Sequence, residues 1–97
     1  MKLSDAEHAI ELKNKRDNLI GRTERILRHK TVKVSVGHHK SEEMQIDTAL
    51  LQDTIMRVTL EQIRKIDDEL IALGFDRPER PFSDSEFRSV AEKLLDA

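Results

Sequence analysis

The sequence lacks cysteine, tryptophan and tyrosine, and it contains only three phenylalanines, three glycines and two prolines. Without cysteine, neither a disulfide framework nor a thiolate zinc site can form. The scarcity of aromatic residues disfavours a sheet protein with an aromatic core, whereas the aliphatic residues present suit amphipathic helices. The glycines stand alone at positions 21, 37 and 74. This isolation excludes the glycine-rich loops that bind phosphate groups.

Long hydrophobic runs are also missing, since no stretch approaches the roughly 20 apolar residues that a membrane-spanning helix needs. Residues 1–5, MKLSD, become polar at once and lack the apolar part of a signal peptide. Together with the absence of cysteine, these features predict a soluble, cytoplasmic protein without a membrane segment. A chain of 97 residues is expected to form one domain with a modest core, which dimerisation would help to stabilise.

Neither sign of charge dominates, because 17 Lys and Arg residues stand against 19 Asp and Glu residues. The distribution is uneven. Residues 1–40 carry ten basic and five acidic side chains, a balance of +5, and residues 41–97 carry seven basic and fourteen acidic ones, a balance of -7. Either the two parts fold against each other and attract, or the basic part contacts an acidic partner.

The first predicted helix covers residues 4–29 and begins at a capping-box sequence, Ser4-Asp5-Ala6-Glu7. Arg16 and Thr23 are polar residues within its apolar seam, and we predict that they fix the helix register or pair with an acid on a facing helix. The seam advances in steps of three and four residues, typical of a coiled coil, through Ala9, Leu12, Arg16, Leu19, Thr23 and Ile26.

A change of period predicts a β-hairpin over residues 31–46. Residues 31–36, TVKVSV, alternate strictly and place three valines on one face, and Gly37 opens a turn. Met44 and Ile46 alternate again in a return strand. Because two strands alone are marginally stable in water, the valine face must lie on the helices or on another subunit.

The second long helix is predicted over residues 48–73, with Asp47 or Thr48 as its cap and Gly74 as its end. A linker with two prolines covers residues 75–82, and a final helix covers residues 84–95 after a second capping box. The expected fold is therefore mainly α, an antiparallel helical hairpin with a short β-hairpin between its long helices and a C-terminal helix. The predicted main face of the second helix consists of Leu51, Ile55, Val58, Thr59, Gln62, Ile66, Leu70 and Leu73, with Ile63 beside it.

Apolar residues outside this main face predict self-association. Leu50 and three other apolar residues of the second helix would not be covered by a two-helix hairpin and need a third helix or a second subunit, and the final helix has an apolar stripe of its own. We therefore expect a homo-oligomer, most simply a dimer. Its predicted interface comprises Met56, Leu60, Ile71, Phe87, Val90 and Leu94.

No group of residues predicts catalysis, a cofactor or a bound metal ion. His29, His38, His39, Glu42 and Glu43 lie near one another in the sequence, but their spacing matches no metal signature. The acids of residues 67–69, DDE, follow two basic residues, so a solvated helix face with local charge pairing is the expected role. No serine lies in a nucleophile motif, and we expect no enzyme.

Basic residues near the end of the first helix and in the hairpin suggest nucleic-acid binding as the alternative function. Against this alternative, the isoelectric point is about 6.1 and no aromatic residue is available there for base stacking. The candidate surface for a partner or a nucleic acid comprises Arg22, Arg25, Arg28, Lys30, Lys33 and Lys40.

The order helix, valine-rich hairpin and helix ending in residues 66–74, IDDELIALG, resembles small uncharacterised proteins encoded by bacteriophages and prophages. The resemblance covers residues 5–74 and rests on the hydrophobic pattern, so it assigns no functional residue. It implies an accessory protein that binds host or phage macromolecules, as a structural or anti-defence factor. The function that we expect is thus a non-enzymatic protein-interaction module that self-associates and has a protein partner.

Overall fold

The chain forms three helices and one antiparallel β-hairpin, with the hairpin between the first two helices. The structure, a computed structural model, describes residues 3–35, 37, 43–82 and 85–96. The predicted fold class is confirmed. The elements in chain order are α1 (Leu3–Arg28), β1 (Thr31–Ser35), β2 (Glu43–Asp47), α2 (Thr48–Ala72) and α3 (Ser85–Leu95).

Helices α1 and α2 pack against each other in antiparallel directions. Arg16 contacts Asp67, and Thr23, further along α1, contacts Thr59, which lies earlier in α2. The predicted seam of α1 faces α2, since Ala9, Arg16 and Thr23 are all buried. The prediction that the polar seam residues pair across the interface is confirmed for Arg16, whose guanidinium contacts an acid.

The hydrophobic core consists of two clusters of buried side chains. The first, which we call the Leu70 cluster, lies between α1 and the C-terminal part of α2 and contains Ala9, Leu12, Ile66 and Leu70. The second, which we call the Met56 cluster, lies between α2, α3 and the segment before α3, and contains Met56, Leu60, Phe82, Phe87 and Ala91. Between the clusters, the buried polar pairs described above join α1 to α2.

The buried face of α2 differs from the predicted face. Val58 is 51 % exposed and Gln62 is also exposed, whereas Met56 and Leu60 are buried. The predicted main face was assigned to the contact with the first helix, and the other apolar residues to a third helix or a second subunit. In the structure α2 packs against both α1 and α3, so its buried surface extends to the side that α3 covers.

The end of α2 has the predicted glycine stop, whereas the start of α1 lacks the predicted serine cap. At the end of α2, Gly74 has a φ of 97° and its N–H donates to the Ile71 carbonyl, while the Phe75 N–H donates to the Leu70 carbonyl. These two bonds form a Schellman motif, as the predicted glycine stop requires. At the start of α1 the helix is already formed at Leu3, so Ser4 lies inside it and is not its cap.

A proline segment, residues 75–82, leads from α2 towards α3 and packs on the long helices. The Arg16 Nη2 donates a 2.7 Å hydrogen bond to the backbone carbonyl of Glu79. At the end of the segment Phe82 is 2 % exposed and has a φ of 70°, a left-handed conformation that is uncommon for a non-glycine residue. Burial of the Phe82 ring in the Met56 cluster holds this conformation in place. The predicted capping box at Ser83 lies outside the described residues.

Candidate interaction surfaces

The β-hairpin has one apolar face, and its own chain leaves part of this face exposed. Val32 lies opposite Ile46 and Val34 lies opposite Met44, so the four side chains share one side of the ribbon. The pair nearer the helices is half-buried, but Val34 is 43 % exposed and Met44 is 63 % exposed. The predicted pairing with Met44 and Ile46 is confirmed for Val32 and Val34, and the third predicted valine, Val36, lies outside the described residues. We call these four residues the hairpin face.

The opposite side of the hairpin is polar. Lys33 lies opposite Gln45, and the Gln45 side-chain amide donates a 3.0 Å hydrogen bond to the Thr31 hydroxyl. The hairpin is thus amphipathic, as a sheet with one buried face would be, yet no described helix or strand covers the outer part of its apolar side.

The predicted basic surface is exposed where the structure describes it. Arg22 and Arg25 are exposed on the last part of α1, and Lys30 and Lys33 are exposed beside and within β1. Arg28 makes a cation–π contact with α3, because its guanidinium lies 5.4 Å from the centre of the Phe87 ring. The sixth predicted residue, Lys40, lies outside the described residues.

The residues predicted to form an oligomer interface lie mostly in the core of their own chain. Met56, Leu60 and Phe87 are at most 6 % exposed in the Met56 cluster, and Val90 and Leu94 are half-buried against it. Helix α3 folds back on its own chain and covers them. Of the six predicted residues, only Ile71 is exposed, at 39 %. Of the apolar residues in excess on α2, Met56 and Leu60 therefore serve helix packing within the chain, whereas Leu50 and Ile71 are exposed, at 77 % and 39 %.

Asp67 was predicted to lie on a solvated helix face, and this prediction is wrong. The residue is 6 % exposed, and its carboxylate accepts a 2.9 Å hydrogen bond from the Arg16 Nε. A signal for this burial was present in the sequence, because Leu60, Ile63, Asp67 and Leu70 follow one another in steps of three and four residues. Its neighbours Asp68 and Glu69 are exposed, as predicted.

A groove lies between α2, the proline segment and the end of α3. It has a volume of about 240 Å³, and its lining includes the buried side chains of Leu60 and Ile63. Three guanidinium groups also line it, from Arg64 on α2 and from Arg77 and Arg80 on the proline segment. No sequence pattern indicates this groove, because its walls come from separate parts of the chain.

The histidines and acids that are described do not form a metal site. Among residues 3–35, 37, 43–82 and 85–96, no group of three or more His, Asp or Glu side chains lies close enough to hold a metal ion. His29 and Glu43 are exposed, and His38, His39 and Glu42 lie outside the described residues. His8, the remaining histidine, lies 3.7 Å from the carboxylate of Glu69.

Among the described residues, no helix is both long enough and apolar enough to cross a membrane. Comparisons of the chain with protein-family models, with curated proteins and with solved structures found no match.

Proposed function

We propose that the protein is a non-enzymatic protein-interaction module that self-associates through the hairpin face. The observation that supports this most directly is the exposure of Val34 and Met44 on an otherwise amphipathic hairpin. A two-stranded hairpin has marginal stability in water unless its apolar face packs against another surface. A second copy of the chain supplies such a surface by symmetry, since the same face on both copies can form a twofold contact.

The charged side chains of the two strands lie on the polar side of the hairpin, away from the proposed contact. Strand β1 carries Lys33, and β2 carries Glu43 and Asp47, at positions that alternate with the hairpin face. Two hairpin faces can therefore pack against each other without burying a charged group. The apolar contact is small, so the association should depend on concentration, unlike that of an obligate dimer.

The test is sedimentation of the full chain over a range of concentrations, with a variant on each side of the hairpin. Val34→Lys places a charge in the proposed contact and should shift the protein to a monomer, because burying an unpaired ammonium group is costly. Gln45→Lys introduces the same side chain on the opposite, polar side and should leave self-association unchanged. Thermal melting of both variants checks that the fold is retained.

Two results would contradict this function. Wild-type protein that stays monomeric at high micromolar concentration would show that the hairpin face does not bind a second copy. Equal effects of Val34→Lys and Gln45→Lys on the sedimentation coefficient would show that the apolar side has no special part in association.

Nucleic-acid binding is the second candidate, and the exposure of Arg22, Arg25, Lys30 and Lys33 near one end of the helical hairpin favours it. Contacts of this kind are mainly with phosphate groups and weaken steeply as salt is added. Binding of labelled duplex DNA or RNA that falls steeply between low and physiological salt would therefore favour this candidate over self-association alone.

A further inference from the structure

We propose that the groove between α2, the proline segment and α3 is a binding site for an aliphatic carboxylate. The ligand class includes the last residue of a peptide with a free C-terminus and small free aliphatic acids. The site uses residues outside the hairpin face, so it stands whether or not the protein self-associates.

The apolar part of the groove is suited to one aliphatic group. Leu60 and Ile63 contribute buried side chains to its lining, and Pro78 and Leu95 contribute further apolar surface. The volume of about 240 Å³ corresponds to the liquid volume of about eight water molecules. This is smaller than the 300–1,000 Å³ of typical drug-sized pockets, so the groove holds a single side chain and its polar end group.

The cationic groups of the groove are available to an incoming anion. Arg64 forms no ion pair with any residue in the described part of the chain. Arg77 lies 3.9 Å from Asp68 and Arg80 lies 3.6 Å from Asp96, with all four side chains roughly half exposed or more. Exposed pairs of this kind are weak, so both arginines can turn to a carboxylate, which a guanidinium group binds with two parallel hydrogen bonds.

The buried acid of the groove does not oppose an anion, because its charge is already matched. Asp67 lines the groove, but its carboxylate is held 2.9 Å from the Arg16 Nε. Apart from this pair, the lining has three cationic side chains and two acidic ones, those of Glu79 and Asp96. The groove therefore favours a negative end group beside its apolar surface.

The proline segment gives the groove a preformed wall. Arg16 fixes the backbone of Glu79 by a 2.7 Å hydrogen bond, and the buried Phe82 anchors the end of the segment. Pro78 and Pro81 restrict the φ angles between these anchors. A wall that is ordered before binding reduces the entropy that a ligand would otherwise lose in ordering it.

The experiment is an NMR titration of the isotope-labelled full chain with N-acetyl-leucine, which carries an aliphatic side chain and a free carboxylate. We expect saturable shifts of Leu60, Ile63 and Leu95 signals, with a dissociation constant in the millimolar range for so small a ligand. N-acetyl-leucinamide, which is neutral, should cause at most a tenth of the effect at equal concentration. Hexanoate tests the second source: binding as strong as that of N-acetyl-leucine indicates free acids, and weaker binding indicates a peptide C-terminus.

Matched variants test the cationic groups. Arg64→Gln should weaken N-acetyl-leucine binding about tenfold or more, as expected for a lost charged hydrogen bond. Lys65→Gln removes the same charge from the next, exposed position of α2, which does not line the groove, and should bind as the wild type does. The proposal is overturned if no saturable shifts occur, if the neutral amide binds equally well, or if the two variants bind alike.

Discussion

At the scale of single residues, Arg16 joins parts of the chain that are distant in the sequence. Its guanidinium contacts the Asp67 carboxylate on α2 and the Glu79 carbonyl in the proline segment, so one side chain joins three parts of the chain. Buried ion pairs contribute little net stability compared with apolar residues of similar volume, but removal of one partner is costly. The pair is therefore expected to determine how α1 and α2 align.

Arg16→Met should reduce the free energy of unfolding by about 3–5 kcal/mol, because it leaves the Asp67 carboxylate buried without its partner. Urea unfolding measures the change. Since a small domain has a total stability of about 5–15 kcal/mol, this change removes about a fifth or more of the free energy of unfolding.

The double variant Arg16→Met/Asp67→Leu supplies the control, because it removes both charges together. It should be more stable than Arg16→Met alone, since no unpaired charge stays buried. A double variant that loses the sum of both single effects would mean that Arg16 and Asp67 stabilise the protein independently and not as a pair.

At the scale of secondary structure elements, the sequence was sufficient to predict the order and type of the elements. The alternation of residues 31–35 and the three- and four-residue steps of α1 each define one apolar face, and the structure contains the predicted strand and the predicted helix. Local patterns of this kind are set by the period of a helix or strand.

The rotation of α2 could not be predicted in the same way. Apolar residues occur around most of this helix, so the sequence does not say which side meets α1 and which side meets α3. From the sequence alone, Met56 and Leu60 are therefore interpreted as surplus apolar residues, although in the structure they form the surface on which α3 packs. The groove could not be predicted for a related reason, because Arg64 and Arg80, which both line it, belong to separate parts of the chain.

Helix α3 is attached mainly by Phe87 and Ala91, the buried residues of its apolar stripe. Phe87→Ala should destabilise the protein by about 3–5 kcal/mol, because it opens a cavity in the Met56 cluster. Hydrogen exchange is the informative measurement: amides of α3 should lose protection, while α1 amides next to the Leu70 cluster should retain it.

Ser89→Ala changes an exposed position of the same helix and should leave exchange in α3 unaltered. If Phe87→Ala instead removes protection from α1 and α3 to the same extent, the two clusters unfold as one cooperative unit and α3 has no separate stability.

At the scale of the whole molecule, the opposite charges of the two parts of the sequence meet within the fold. The ion pair between Arg16 and Asp67 joins the basic first part to the acidic second part. Mutual attraction of the two parts, one of the two interpretations of the charge distribution, is thus supported by one direct contact. Lys30 and Lys33 remain exposed beside the hairpin, where they are available to a partner.

The hairpin connects the ends of the two long helices, so it lies at one end of a molecule that measures 50 × 32 × 20 Å. Association through the hairpin face would join two copies end to end. Such a dimer should be elongated, and its grooves would remain open on both copies, because they lie along the helices and away from the contact.

The covering of Met56 and Leu60 by α3 has a consequence for the protein during its synthesis. Helices α1 and α2 can pair once Ala72 has emerged from the ribosome, but Phe87 and Ala91 emerge only later. At translation rates of about 5–20 residues per second, this order leaves an apolar surface uncovered on the nascent chain for roughly one to four seconds. The growing polypeptide would be a target for chaperones and most prone to aggregate in that interval.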